Sequence, residues 1–94
     1  MSDATRWVRA PDALWRRLPR SAVLLARHGE EPLTTNLTGA ALWDVLAEPH
    51  TVDEAARILA GTFGADPARV VRDIAPVIAE LAERGLLVAV GPPQ

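Results

Sequence analysis

Leu33-Thr34-Thr35-Asn36-Leu37-Thr38-Gly39-Ala40-Ala41-Leu42-Trp43 is the stretch in which this chain changes its periodicity. Before Asn36 the segments are short, extended and punctuated by turn formers. After it, apolar residues recur at helical spacing. Asn36 suits that boundary, because an asparagine side chain accepts an orphan amide of a first helical turn. Leu42, Val45 and Leu46 then form a helical stripe with Trp43 on its flank, and Pro49 bars continuation. Gly39 would let such a helix approach a sheet closely.

Upstream, Glu31-Pro32-Leu33-Thr34-Thr35 reads as a short strand, and Pro32, which cannot donate to a ladder, places it at a sheet edge. Ser21 to Arg27 reads as a second strand, joined to it by a turn centred on Gly29. Leu14-Trp15-Arg16-Arg17-Leu18 alternates, with Leu14, Arg16 and Leu18 on one face and Trp15 and Arg17 on the other, and Pro19-Arg20 ends it. Residues 1–12 are expected as a flexible N-terminal extension, in which Trp7 belongs either to a loose terminus or to an extra strand, and 91–94 as a flexible tail.

Downstream, Thr51-Val52-Asp53-Glu54 fits a capping box, and Ala55, Ile58, Leu59 and Phe63 make the stripe of a second helix closed by Gly64. Asp66-Pro67 caps and starts a third helix with the stripe Val70, Ile74, Val77, Ile78 and Leu81. Pro76 lies inside it and should kink it or open its ladder. Gly85 stops it, and Leu86 to Val90 offers a last short strand. Three strands followed by three helices make an α+β domain, a three-stranded antiparallel sheet under helices in a winged helix-turn-helix-like order.

The 94 residues hold one domain, with 49% hydrophobic and 23% charged residues, which argues against general disorder. The formal net charge of −2 supplies no global attraction to nucleic acid or anionic lipid. The absence of cysteine excludes a disulfide framework, a thiolate zinc site and a cysteine nucleophile. No apolar run reaches bilayer length and the N-terminus lacks signal-peptide order, so a cytoplasmic protein without membrane contact is expected. All ten basic residues are arginine. His28 and His50 read as loop residues far apart, Ser2 and Ser21 lie outside any nucleophile elbow, and Asp73, Glu80 and Glu83 read as a solvated helix face. No metal, no cofactor and no enzymatic activity are expected.

Several segments carry a resemblance to a known family. Leu14-Trp15-Arg16-Arg17-Leu18-Pro19, Val23-Leu24-Leu25 and the Leu33 to Trp43 stretch resemble the PqqD family in order and spacing. So do Thr51-Val52-Asp53-Glu54-Ala55, Val70-Val71-Arg72-Asp73-Ile74 and Leu81-Ala82-Glu83-Arg84-Gly85-Leu86-Leu87. The likeness spans residues 13–90. It implies a RiPP recognition element, which binds the leader of a ribosomally made precursor peptide and delivers it to a separate modifying enzyme. It further implies that the leader adds as a strand to a sheet edge, in a groove shared with the third helix.

Carried over to this chain, that edge is Glu31, Pro32, Leu33, Thr34 and Thr35. The helix side is Val70, Asp73, Ile74, Val77, Ile78 and Leu81, with Arg69 and Arg72 at the rim. Pro32 removes one donor, so either it points away from the guest or the bonding starts at Leu33. For the five apolar helix residues, core packing alone competes with leader contact. Arg16, Arg17 and Arg20 suit either a solvated sheet face or steering of an acidic leader. The rival function is a winged-helix DNA-binding regulator, against which Asp73, Glu80 and Glu83 offset the arginines of the third helix. A purely structural subunit is the third reading.

Overall fold

Five strands and three helices follow one another in the order β1 (Arg6–Arg9), β2 (Leu14–Leu18), β3 (Ala22–Ala26), β4 (Leu33–Thr34), α1 (Leu37–Val45), α2 (Val52–Phe63), α3 (Pro67–Glu83) and β5 (Leu87–Val90). The computed structural model describes residues 5–91. A short 3-10 turn at Pro19–Ser21 joins β2 to β3, and Arg20 there takes the left-handed conformation, φ +67°. The expected three-stranded antiparallel sheet is present in the order β2-β3-β4, with Trp15 opposite Leu25 and Leu25 opposite Leu33. Alternation along β3 buries Val23 and Leu25 and turns Ala22, Leu24 and Ala26 to the other face.

The helix boundaries follow their caps. The Asn36 side chain accepts the Gly39 N–H at 2.9 Å, and Thr51 and Glu54 form the reciprocal capping box at 3.0 and 2.9 Å. Gly64 ends α2 in the left-handed region, φ +65°. The Asp66 side chain accepts the Ala68 N–H at the head of α3. α3 runs unbroken through Pro76, which is exposed, so the Arg72 carbonyl that it leaves without a helical donor belongs to the solvent-facing side.

One core joins the sheet to the helices: Val23, Leu25, Leu42, Trp43, Leu46, Leu59, Ile74 and Leu81 are all but inaccessible. The stripe of α2 differs from its sequence reading. Ala55, Ala56, Leu59 and Ala60 face inward, while Ile58 and Phe63 remain 44% and 42% exposed. Small side chains on that face let α3 pack close, and the larger ones are displaced outward.

The expectation of a flexible extension over residues 1–12 is corrected at its centre. Arg6–Arg9 pairs antiparallel with β5 in a separate two-stranded sheet, Val8 opposite Val88. On its other side Trp7 exchanges backbone hydrogen bonds with His50, and the Arg9 N–H donates to Leu46. Both flanks of β1 are therefore satisfied, which fixes a strand of only four residues. Residues 1–4 and 92–94, where the ends were expected to be loose, lie outside the described residues. Among the described residues no helix is long and apolar enough to cross a membrane.

Candidate peptide-binding edge and groove

β4 is an outer strand of its sheet. Thr35, just beyond it, donates its N–H to the Val23 carbonyl at 2.9 Å, and its hydroxyl lies 3.2 Å from the Val23 N–H and 3.3 Å from the same carbonyl. The side chain thus extends the ladder past the strand end. In an antiparallel pair, successive residues direct their backbone groups alternately toward and away from the partner. Thr35 and Leu33 are therefore committed to β3, and the N–H and C=O of Thr34 point outward. One step back in the same alternation, the N–H that Pro32 lacks falls on the outward side. Pro32 thus sits on the outward side of the edge, and Thr34 is the β4 residue whose N–H and C=O are both left open, with Leu33 and Thr35 occupied on the inner side.

Side chains follow the opposite logic. Leu33 lies opposite the buried Leu25 and packs half-buried against the core, whereas Thr34 lies opposite Leu24 and is exposed. The first turn of α1 comes very close to this end of β4. A Cβ on Gly39 would stand 2.8 Å from Thr35 Cβ, so only glycine fits. Glu31 and Pro32 are exposed beside the strand.

α3 divides the expected helix residues in two. Val70, Ile74, Ile78 and Leu81 lie in the core at 7%, 0%, 3% and 1% exposure. Of the two roles weighed for them, core packing is the one their burial shows: the inward stripe of the helix packs against α2, α1 and β5. Val77 is half-buried at the core margin, and Arg69, Arg72 and Asp73 are exposed. Arg69, Val70 and Asp73 also line an open cavity of about 480 Å³. Its other walls are Thr38 in the first turn of α1, Leu59, and the α2–α3 connection from Phe63 to Asp66. The cavity thus lies between the helix that follows β4 and the N-terminal half of α3.

Thr38, Leu59 and Phe63 were missed as lining residues. Phe63, the single phenylalanine, reads as a core stripe residue, and only its 42% exposure marks it as a wall of an open site. Leu59 gave no separate signal, because a buried floor residue looks like any other core leucine.

A second cluster lies away from this groove. The Arg9 guanidinium sits 4.8 Å from the Trp15 ring centroid and 5.0 Å from that of Trp43, and its Nε donates to the Trp43 carbonyl at 2.8 Å. Trp15 and Trp43 meet edge to face. Asp44 accepts from both Arg9 and Arg17. Burial lowers the Arg9 pKa, while the hydrogen bond to Asp44 raises that of Arg17.

No curated protein sequence matches the chain. Two solved structures share its fold. The PqqD truncation of Methylobacterium extorquens PqqCD, described as a stand-alone RiPP recognition element, superposes with a TM-score of 0.73 at 26% identity, covering 88% of each chain. TbiB1 in complex with the TbiA(beta) leader peptide superposes with a TM-score of 0.73 at 18% identity, covering 85% of this chain and 93% of the other. Residues 21–87, from the end of the turn before β3 to the start of β5, match the family model described as coenzyme PQQ synthesis protein D, and the chain belongs to the PqqD family.

Proposed function

We propose that this protein binds the leader segment of a ribosomally made precursor peptide as a strand added to β4, and presents it to a separate modifying enzyme. The observation that carries the proposal is the outward-facing N–H and C=O of Thr34 on an open sheet edge, in a fold shared with a leader-bound relative. Leu33 and Val77 supply apolar margins to the guest. The cavity bounded by Thr38, Phe63, Arg69 and Asp73 receives a side chain from it. Val70 contributes at the cavity wall, and Ile74, Ile78 and Leu81 act from beneath by holding α3 in place. Selectivity then arises from pockets, and strand addition tolerates many sequences.

Duplex DNA is a poor fit to the same surface. On α3 the exposed Arg69 and Arg72 are offset by Asp73, Glu80 and Glu83, and Arg84 is already paired with Glu80 at 3.3 Å.

The test is a backbone-amide NMR titration with the precursor peptides encoded beside this gene, repeated on Thr34→Pro. That substitution removes an outward N–H and leaves the ladder to β3 untouched. Saturable shifts along residues 33–38 and 69–77, with affinity reduced about tenfold or more in the variant, are expected. Equal affinity of the two proteins for the leader rejects strand addition at β4. Binding of a duplex oligonucleotide, with no leader shifts, would transfer the function to nucleic acid.

A further inference from the structure

The three-stranded sheet has a second open edge, at β2. The Val23 carbonyl faces β4, so the alternation along β3 directs Ala22, Leu24 and Ala26 toward β2, where they meet Leu18, Arg16 and Leu14. Trp15 and Arg17 consequently turn their N–H and C=O groups away from the sheet. Among the described residues nothing bonds to them. This open ladder is longer than that of β4, where Thr34 alone has both groups free.

The side chains around it are those of an interface. Leu14 is 56% and Trp15 43% exposed, beside a shallow depression of about 210 Å³ that Leu24 and Ala26 complete. Exposed tryptophan and arginine are enriched at the centres of protein contacts, and Leu14 adds apolar area beside them. Arg9 and Arg17 stack on Trp15, at 4.8 and 5.5 Å from its centroid, and so hold the ring in place. Arg16 is exposed and has no ion-pair partner among the described residues. Asp44, shared by Arg9 and Arg17, leaves the patch positively charged.

A second copy of this chain is an unsuitable occupant. Antiparallel self-pairing centred on this strand would set Arg16 against Arg16, which like charges oppose. An extended segment bearing carboxylates matches both the ladder and the arginines. We infer that β2 is a second strand-pairing site, occupied by an acidic extended segment of the modifying enzyme while the leader occupies β4. The identity of this partner rests on the function proposed above, since presentation requires two surfaces and β2 is the opposite edge of the leader-binding sheet.

Arg17→Pro removes the outward N–H of Arg17 without subtracting a bond from the β2–β3 ladder, and Arg16→Glu reverses an unpaired charge. The full chain and both variants are titrated separately with the modifying enzyme and with the precursor peptide encoded beside this gene. Each variant is expected to bind the enzyme about tenfold more weakly, with peptide affinity unchanged. Wild-type affinity for the enzyme in both variants, or no enzyme binding by the wild type, overturns the inference. Loss of peptide binding in the wild type with enzyme binding intact would instead overturn the assignment of β4 and leave β2 standing.

Discussion

At Gly39 and Thr35 the main chain of α1 touches the end of β4, and each residue is there for a reason that a substitution can expose. A Cβ at Gly39 would meet Thr35 Cβ at 2.8 Å, an atom fixed to the main chain that no rotamer change can move aside. Gly39→Ala is therefore expected to lower the free energy of urea unfolding by about 1–3 kcal/mol, as overpacking does, and to weaken peptide binding by displacing β4. Thr35→Val tests the neighbouring contact. It keeps the shape and removes the hydroxyl beside the Val23 N–H, for an expected loss of about 1–2 kcal/mol in the same measurement. The role of Gly39 was legible in the sequence, because a glycine three residues after an N-cap asparagine has few other uses. The inward commitment of Thr35 was not legible. Which of Leu33, Thr34 and Thr35 faces the guest depends on a register set by β3, and a slip of one residue would reverse all three.

The helices differ in how openly their sequences declare them. The capping box of α2 and the Asp66-Pro67 start of α3 gave their boundaries directly, since caps are local chemistry. The inward face of α2 was misread because the buried Ala55, Ala56 and Ala60 are too small to weigh against Ile58 and Phe63 in a stripe judged by side-chain size. For α3 the same kind of stripe named core residues, Val70, Ile74, Ile78 and Leu81, and Val70 also reaches the cavity wall. Pro76 is the irregular feature of this element. It lies on the exposed side, where it deprives the Arg72 carbonyl of a helical donor. Pro76→Ala restores that bond and a better helix former, against a small entropic loss from a freer unfolded chain. A gain of about 1–2 kcal/mol by urea or thermal unfolding is expected. A loss would mean that the packing of Ile74 and Ile78 depends on a bend at Pro76.

Across the whole molecule, β1 is the element that local sequence hid most completely. Arg6-Trp7-Val8-Arg9 is four residues long, and its partner β5 lies at the far end of the chain, so nothing within reach of a sequence window predicts their pairing. Yet β1 ties the two sheets to the helices, through Arg9 against Trp43 and through Arg6, whose guanidinium lies 3.4 Å from Glu54. Glu54 is the group that makes this linkage depend on pH. The Thr51 N–H, above all, holds its carboxyl below the ordinary range against a smaller upward push from desolvation, and Arg6 and His50 add to the lowering. A carboxyl depressed by folding contributes stability that is fully present above its unfolded value of about 4.3 and disappears as pH falls through the folded value. The capping box and the tie to β1 therefore persist from neutral pH down to about 5 and weaken below about 4.3. Other carboxylates titrate in the same window, so the informative quantity is the difference between the wild type and Glu54→Gln, which keeps an acceptor but has no proton to gain. Urea unfolding at a series of pH values is expected to show the wild type more stable by a constant margin above pH 5, with the margin closing as the pH drops toward 3. A margin that stayed constant through that range would show that the charge on Glu54 contributes nothing to holding β1 against α2.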